Sequence, residues 1–148
     1  MKLHVELSRF RVKEGKSAVV DQWMNFLNDH MKDTLLTLEG EKMYIETIFR
    51  EVLDGNEYLY WYSVQAEGGM EVENSESYVD KKHLEYWKEC IDPCFGMVDL
   101  KPQVVMIPKP IYETMEELDK QYDESHKKWA ATVQLIFLLS ERGFPLNI

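Results

Sequence analysis

Glu46 and Arg50 are the residues whose types and spacing point most directly to chemistry, an acid and a base four positions apart within a β-rich run. On a strand that spacing puts both on one face but too far apart for easy direct pairing, so each needs another partner. Arg9, Arg11, Tyr44, Ser63 and His83 are available. A cavity lined by Glu46, Arg50, Trp61, Tyr44, His83 and Arg9 has the groups needed to bind a small aromatic or carboxylated molecule. Arginine would take the anion, the indole would stack, and Glu46 or His83 would move a proton. The competing reading is a satisfied polar network that fixes the register of a dimer. His83 lies on an apolar helical stripe, which also suits a core histidine with one hydrogen bond.

Other chemistries find little support. Cys90 and Cys94 are spaced Cys-Ile-Asp-Pro-Cys, which is neither a Cys-x-x-Cys redox pair nor, with His83 added, a full zinc set. They read as two reduced thiols at a helix end. His4 faces away from its apolar neighbours, and His30 and His126 sit in polar helical surroundings and read as solvated. Gly68-Gly69 lacks a phosphate-loop pattern, and no Gly-x-Ser-x-Gly elbow occurs. No metal and no cofactor are expected.

The elements that must position these residues centre on a hairpin. Met43–Leu53 and Glu57–Val64 are rich in β-branched and aromatic residues and flank Asp54-Gly55-Asn56, a strong two-residue turn signal. That turn sets Arg50 opposite Leu59, Ile48 opposite Trp61 and Glu46 opposite Ser63. One face then carries Met43, Ile45, Thr47 and Phe49 with Tyr58, Tyr60, Tyr62 and Val64, which suits a covering layer of helices. The other, with Tyr44, Glu46, Ile48, Arg50, Val52, Leu59, Trp61, Ser63 and Gln65, suits a partner subunit or a cavity.

Before the hairpin, residues 2–12 form a strand whose apolar alternation slips near Ser8-Arg9, as a bulge would produce. Glu14-Gly15-Lys16-Ser17 makes a turn and a helix cap, and a helical stripe runs from Val20 to Leu35. After the hairpin comes a polar loop, a helix over Val79–Cys90 stopped by Asp92-Pro93, and a last strand over Val98–Ile107. This order predicts an α+β, ferredoxin-like βαββαβ domain over residues 1–110 with a four-stranded antiparallel sheet. Residues 111–148 form an extra C-terminal helical extension packed on the same domain or a partner. It opens on the capping box Thr114–Glu117 and runs to Arg142, with an apolar tail over Gly143–Ile148.

At 148 residues with 45% hydrophobic content, the chain is long enough to bury a core. Its formal charge of −10 argues against nucleic-acid binding. Val133–Leu139 falls far short of the roughly 20 residues of a membrane helix, so no membrane partner is expected. The first residues enter a strand without a signal-peptide pattern, which reads as cytoplasmic.

The blocks Val5–Ser17, Val20–Met24, Gly40–Tyr44, Tyr58–Trp61 and His83–Trp87 resemble a family of small bacterial proteins of unknown function, over residues 3 to about 107. That family is similar at fold level to the dimeric α/β-barrel superfamily, which pairs two sheets face to face around a cavity. The resemblance implies a homodimer and is silent on activity. The expected function is binding of a small organic molecule between sheet and partner subunit. The alternative is a noncatalytic dimeric interaction module with a filled barrel interior.

Overall fold

A computed structural model of the chain describes residues 1–141, with side chains through residue 134. Asp54 and Gly55 both adopt positive φ, 51° and 75°, the backbone that a primed two-residue turn demands. The strands it joins are the second and third of the sheet, β2 (Met43–Leu53) and β3 (Asn56–Ala66). They pair in the expected register, with Arg50 opposite Leu59, Ile48 opposite Trp61 and Glu46 opposite Ser63. β1 (Leu3–Arg11) lies against the far side of β3, and β4 (Met97–Asp99) against β1, so the antiparallel order is β2-β3-β1-β4. Helices α1 (Ser17–Asp29) and α2 (Met31–Gly40) connect β1 to β2, and α3 (Tyr78–Cys90) connects β3 to β4. The result is an α+β unit with the βαββαβ succession. A divided first helix and a very short β4 set it apart from a strict ferredoxin-like pattern.

Several expectations change. β1 carries no bulge at Ser8-Arg9, since its pairing with β3 is continuous from Leu3 to Arg11. The slip arises because Leu3, Val5 and Leu7 lie on one sheet face and Phe10 and Val12 serve the other. The register shift falls instead in β2, between Met43 and Ile45, which makes Tyr44 the extra residue. The first helical stripe breaks at His30, whose carbonyl accepts from the amides of Asp33 and Thr34 as α2 begins. Ser17 does not cap α1; its hydroxyl bonds Glu57 and Lys16 stands at the N-cap. β4 ends at Asp99 because Pro102 has no amide to give the ladder, and beyond it only Leu100 bonds back, to the Leu7 carbonyl at 2.8 Å.

The covering of the sheet is the largest reversal. α1 and α3 pack on the mixed face, not on the tyrosine-rich one. Trp23 of α1 and Trp87 of α3 meet Trp61 of β3 at ring distances of 5.5 and 5.4 Å, and Phe10 of β1 meets Trp87 at 4.5 Å. The Trp61–Trp87 and Phe10–Trp87 pairs are edge-on and the Trp23–Trp61 pair is tilted; aromatic pairs of this kind add about 0.5–1.5 kcal/mol each beyond their burial. Trp23, Leu59, Val20 and Cys90 are fully buried there. The helical stripes carry large aromatic rings that pack on Phe10 and Trp61, and the Trp23 indole finds its acceptor in His83 of α3 rather than in the sheet.

Residues Met1–Met106 form one compact unit and Ile107–Ile148 a second. The second contains α4 (Lys109–Glu141). It begins five residues before the expected capping box, with the Tyr112 amide bonded to the Pro108 carbonyl. Thr114 is thus internal, and its hydroxyl donates to the Pro110 carbonyl rather than capping. The expected helix end at Arg142 and the tail over Gly143–Ile148 lie outside the described residues. No helix among the described residues is long and apolar enough to cross a membrane.

Candidate functional site

The six residues singled out in the sequence divide into separate environments. Glu46, Trp61 and His83 come together beneath the helices. The Trp61 indole N–H donates to Glu46 Oε1 at 2.7 Å, and the Trp23 indole N–H donates to His83 Nδ1 at 3.3 Å. The His83 ring contacts Trp23 and Trp61 at 5.3 and 5.5 Å. Burial pushes the Glu46 carboxyl above the usual range; the Trp61 bond opposes this and the nearby Asp80 charge adds to it. Burial lowers the His83 imidazole from 6.5 to about 4, with Asp80 pulling the other way. His83 is therefore neutral at pH 7, an acceptor on Nδ1, and a poor acid.

Arg50 does not join them. It pairs with Asp21 of α1 and, at 2.6 Å, with Glu57 at the start of β3, and its guanidinium donates to the Ser17 carbonyl at 3.2 Å. This fork ties the first turn of α1 to the hairpin. Tyr44 stands at the bulge, its hydroxyl 3.5 Å from the Met1 sulfur. The expected convergence of Glu46 and Arg50 on one cavity is thus not what the fold makes.

Arg9 lies on the opposite sheet face. Residues directly opposite in antiparallel pairs share a face, and the ladder places Arg9 beside Tyr60, Arg11 beside Tyr58 and Leu7 beside Tyr62. Across β3 these tyrosines face Phe49, Glu51 and Thr47 of β2. Neither α1 nor α3 covers this face, and Phe49 and Ile45 are 55% and 41% exposed on it. The Arg9 guanidinium lies over the Tyr58 ring at 5.2 Å and over Phe95, from the turn after α3, at 5.7 Å. Arg11 lies over Phe95 at 4.9 Å and pairs with Asp92 at 2.6 Å. Arg9 Nε is buried with no hydrogen-bond partner, and no carboxylate among the described residues forms an ion pair with Arg9. Tyr60 donates to Glu51 at 2.7 Å; that bond first, then desolvation, pushes its phenol above the usual range, while a hydrogen bond from the Arg9 guanidinium pulls it down.

This arrangement can do one thing well. The Arg9 guanidinium lies against two neighbouring rings, themselves 5.6 Å apart, and its charge beside that aromatic surface can take a carboxylate or similar oxyanion. Among the described residues no group of His, Cys, Asp and Glu has the geometry to hold a metal ion.

A family model for DUF6176, a family of unknown function, matches residues 3–113. The chain belongs to this family. The DUF6176 match spans β1 to β4 and the opening of α4, so both clusters lie within it. No curated protein matches the chain. Membership in DUF6176 carries no activity with it, and the geometry must supply the functional argument.

Three of Arg9's neighbours, Tyr58, Tyr60 and Phe95, were not singled out in the sequence as site residues. Their signal was the period-two run Tyr58, Tyr60, Tyr62 matched to Arg9 and Arg11, which becomes readable once β1 is paired with β3. Asp80 was also missed. Ser77 caps α3 by accepting from the Val79 amide, and Asp80, in the first turn behind it, is buried.

Proposed function

We propose that this protein is a small-molecule-binding homodimer, in which two copies face each other across the sheet surface bearing Arg9 and enclose a small planar organic anion. The observation that carries the reading is the state of Arg9: placed over the adjacent rings of Tyr58 and Phe95, with a buried Nε lacking a partner and no acid paired to it. Leaving such a group unsatisfied costs about 1–3 kcal/mol, more for a charge, which a bound carboxylate would recover. Tyr60, Tyr62 and Phe49 provide the aromatic surface on which its body would lie. Apolar surface of that extent is costly in water at about 25 cal/mol per Å², and a second copy removes it on both chains. Free Cys90 and Cys94 suit a reducing, cytoplasmic setting.

A second reading rests on the other end of the same face, where exposed Ile45, Phe49 and Leu53 lie without an intervening charge except Glu51. Two such surfaces could interlock completely, giving a noncatalytic dimeric interaction module with a filled interior. Native mass spectrometry of protein purified from its own host separates the two. The first reading expects a dimer retaining an organic anion, lost in Arg9→Met while the dimer persists. A dimer with no retained mass and no effect of Arg9→Met selects the second. A monomer by light scattering at micromolar concentration overturns both.

A further inference from the structure

A cavity of about 420 Å³ opens between α2, the loop after β3 and the first turn of α3. Its lining is strongly one-sided. Asp33, Glu41, Glu71, Glu76 and Asp80 contribute carboxyl groups, Glu76 being paired outside the lining with Lys81 at 2.6 Å, and no lysine, arginine or histidine is among the lining residues. Leu36, Met70 and Tyr78 supply apolar wall. Acidic residues alone would be an ordinary solvated surface, but Asp80 is not on the surface. It is 5% exposed, it lines the cavity, and its Oδ2 is buried without a hydrogen-bond partner.

A buried carboxylate oxygen is seldom left unsatisfied, because its desolvation is repaid only by a donor or a positive charge. Glu41, on the same wall, feels the crowding of carboxylates. Burial first, then the carboxylates of Glu46, Asp80, Glu71 and Glu73, raise the Glu41 carboxyl from 4.5 to about 7, so the cavity already recruits a proton near neutrality. The backbone holds this arrangement in place. The Met70 amide donates to the Gly40 carbonyl at 2.9 Å, and a Cβ on Gly69 would fall 2.0 Å from the Glu41 carbonyl oxygen, so only glycine lets the loop approach α2 this closely.

We propose that this cavity is a binding site for a small organic cation, an amine or guanidine with an apolar body, whose charged head is taken by Asp80 and Glu41. An organic cation is favoured over a metal ion because no metal-holding cluster occurs among the described residues, whereas the volume and the apolar wall suit a drug-sized molecule or smaller. The site is separate from the Arg9 face and stands or falls independently of it.

The test uses the full chain and titrates 2-phenylethylamine, agmatine and spermidine by calorimetry and by amide chemical shifts, with 2-phenylethanol as a neutral isostere and magnesium chloride as an inorganic control. At least one amine is expected to bind at millimolar affinity or tighter, with shifts focused on Glu41, Tyr78 and Asp80. The alcohol is expected to bind at least about ten-fold more weakly, and Asp80→Asn to weaken the amine by about the same factor. Should Asp80→Asn fail to fold, Glu41→Gln, on the more accessible side of the cavity, is expected to weaken binding in the same sense. No binding by any of the three amines overturns the proposal. So does equal binding by the alcohol, equal response to magnesium, or unchanged affinity in a folded Asp80→Asn or Glu41→Gln variant.

Discussion

Replacing His83 by Gln is expected to remove a specific part of the protein's acid sensitivity while leaving its neutral-pH fold intact. The native ring is held neutral by burial, its value lowered from 6.5 to about 4. Nδ1 accepts from the Trp23 indole at 3.3 Å, so a proton arriving there would set donor against donor. A group with a depressed native value contributes stability that is full above its unfolded value and is lost as pH falls from 6.5 toward 4. At pH 5 the unfolded ring is almost wholly charged and the native ring almost wholly neutral. The linkage then subtracts about 2 kcal/mol relative to pH 8. Gln cannot titrate, yet its side-chain oxygen can accept from Trp23. Urea denaturation of both proteins at pH 8 and pH 5 should therefore show the native chain losing about 2 kcal/mol more than His83→Gln. A parallel ring titration by NMR should show His83 still neutral at pH 5. An imidazole that charges at or above pH 6 in the folded state, or identical pH slopes for the two proteins, refutes the reasoning.

Trp61→Phe removes the donor from buried Glu46 and is expected to cost about 1.5–3 kcal/mol in chemical denaturation. Glu46→Gln keeps an acceptor for Trp61 and abolishes a carboxyl whose ionisation is disfavoured in the fold, so at pH 7 it should cost clearly less than Trp61→Phe. Gly69→Ala sets a methyl against the Glu41 carbonyl and should cost about 1–3 kcal/mol or more, with amide shifts spreading through residues 66–77 and 40–42. Exposed Cys94 should react with a thiol reagent in the native state, while Cys90, buried and with its thiol pushed up by that burial, should react only on unfolding.

The hairpin was readable because its information is local: Asp54-Gly55 dictates the turn, the turn dictates the register, and Glu46 opposite Ser63 follows without any knowledge of the rest. Which face the helices would take was not. Apolar content pointed to the tyrosine face, but the helices bring Trp23, His83 and Trp87 onto the face holding Trp61, where the Trp23 indole is satisfied by His83 and the rings pack on one another. The Arg9 cluster depends on pairing β1 with β3 and on a turn residue, Phe95, contacts separated by 47 to 86 positions that no local pattern encodes. Glu46, Trp61 and His83 do assemble as a polar group. Arg50 does not, because Asp21 and Glu57 claim it, and neither was visible as its neighbour from strand spacing alone.

β1 sits in the middle of the sheet although it precedes every other element, and this orders the birth of the fold. Its longest ladder is to β3, so Phe10 must wait for Leu59, and its other ladder, to β4, waits longer still. At roughly 5–20 residues per second of synthesis, Leu3, Val5, Leu7 and Phe10 spend on the order of several seconds without a sheet partner. The β2–β3 hairpin, by contrast, closes on itself within microseconds of its completion. In order of synthesis, the β2–β3 ribbon is complete before β1 has a partner, β1 joins the edge that β3 offers, and β4 then closes the sheet on β1.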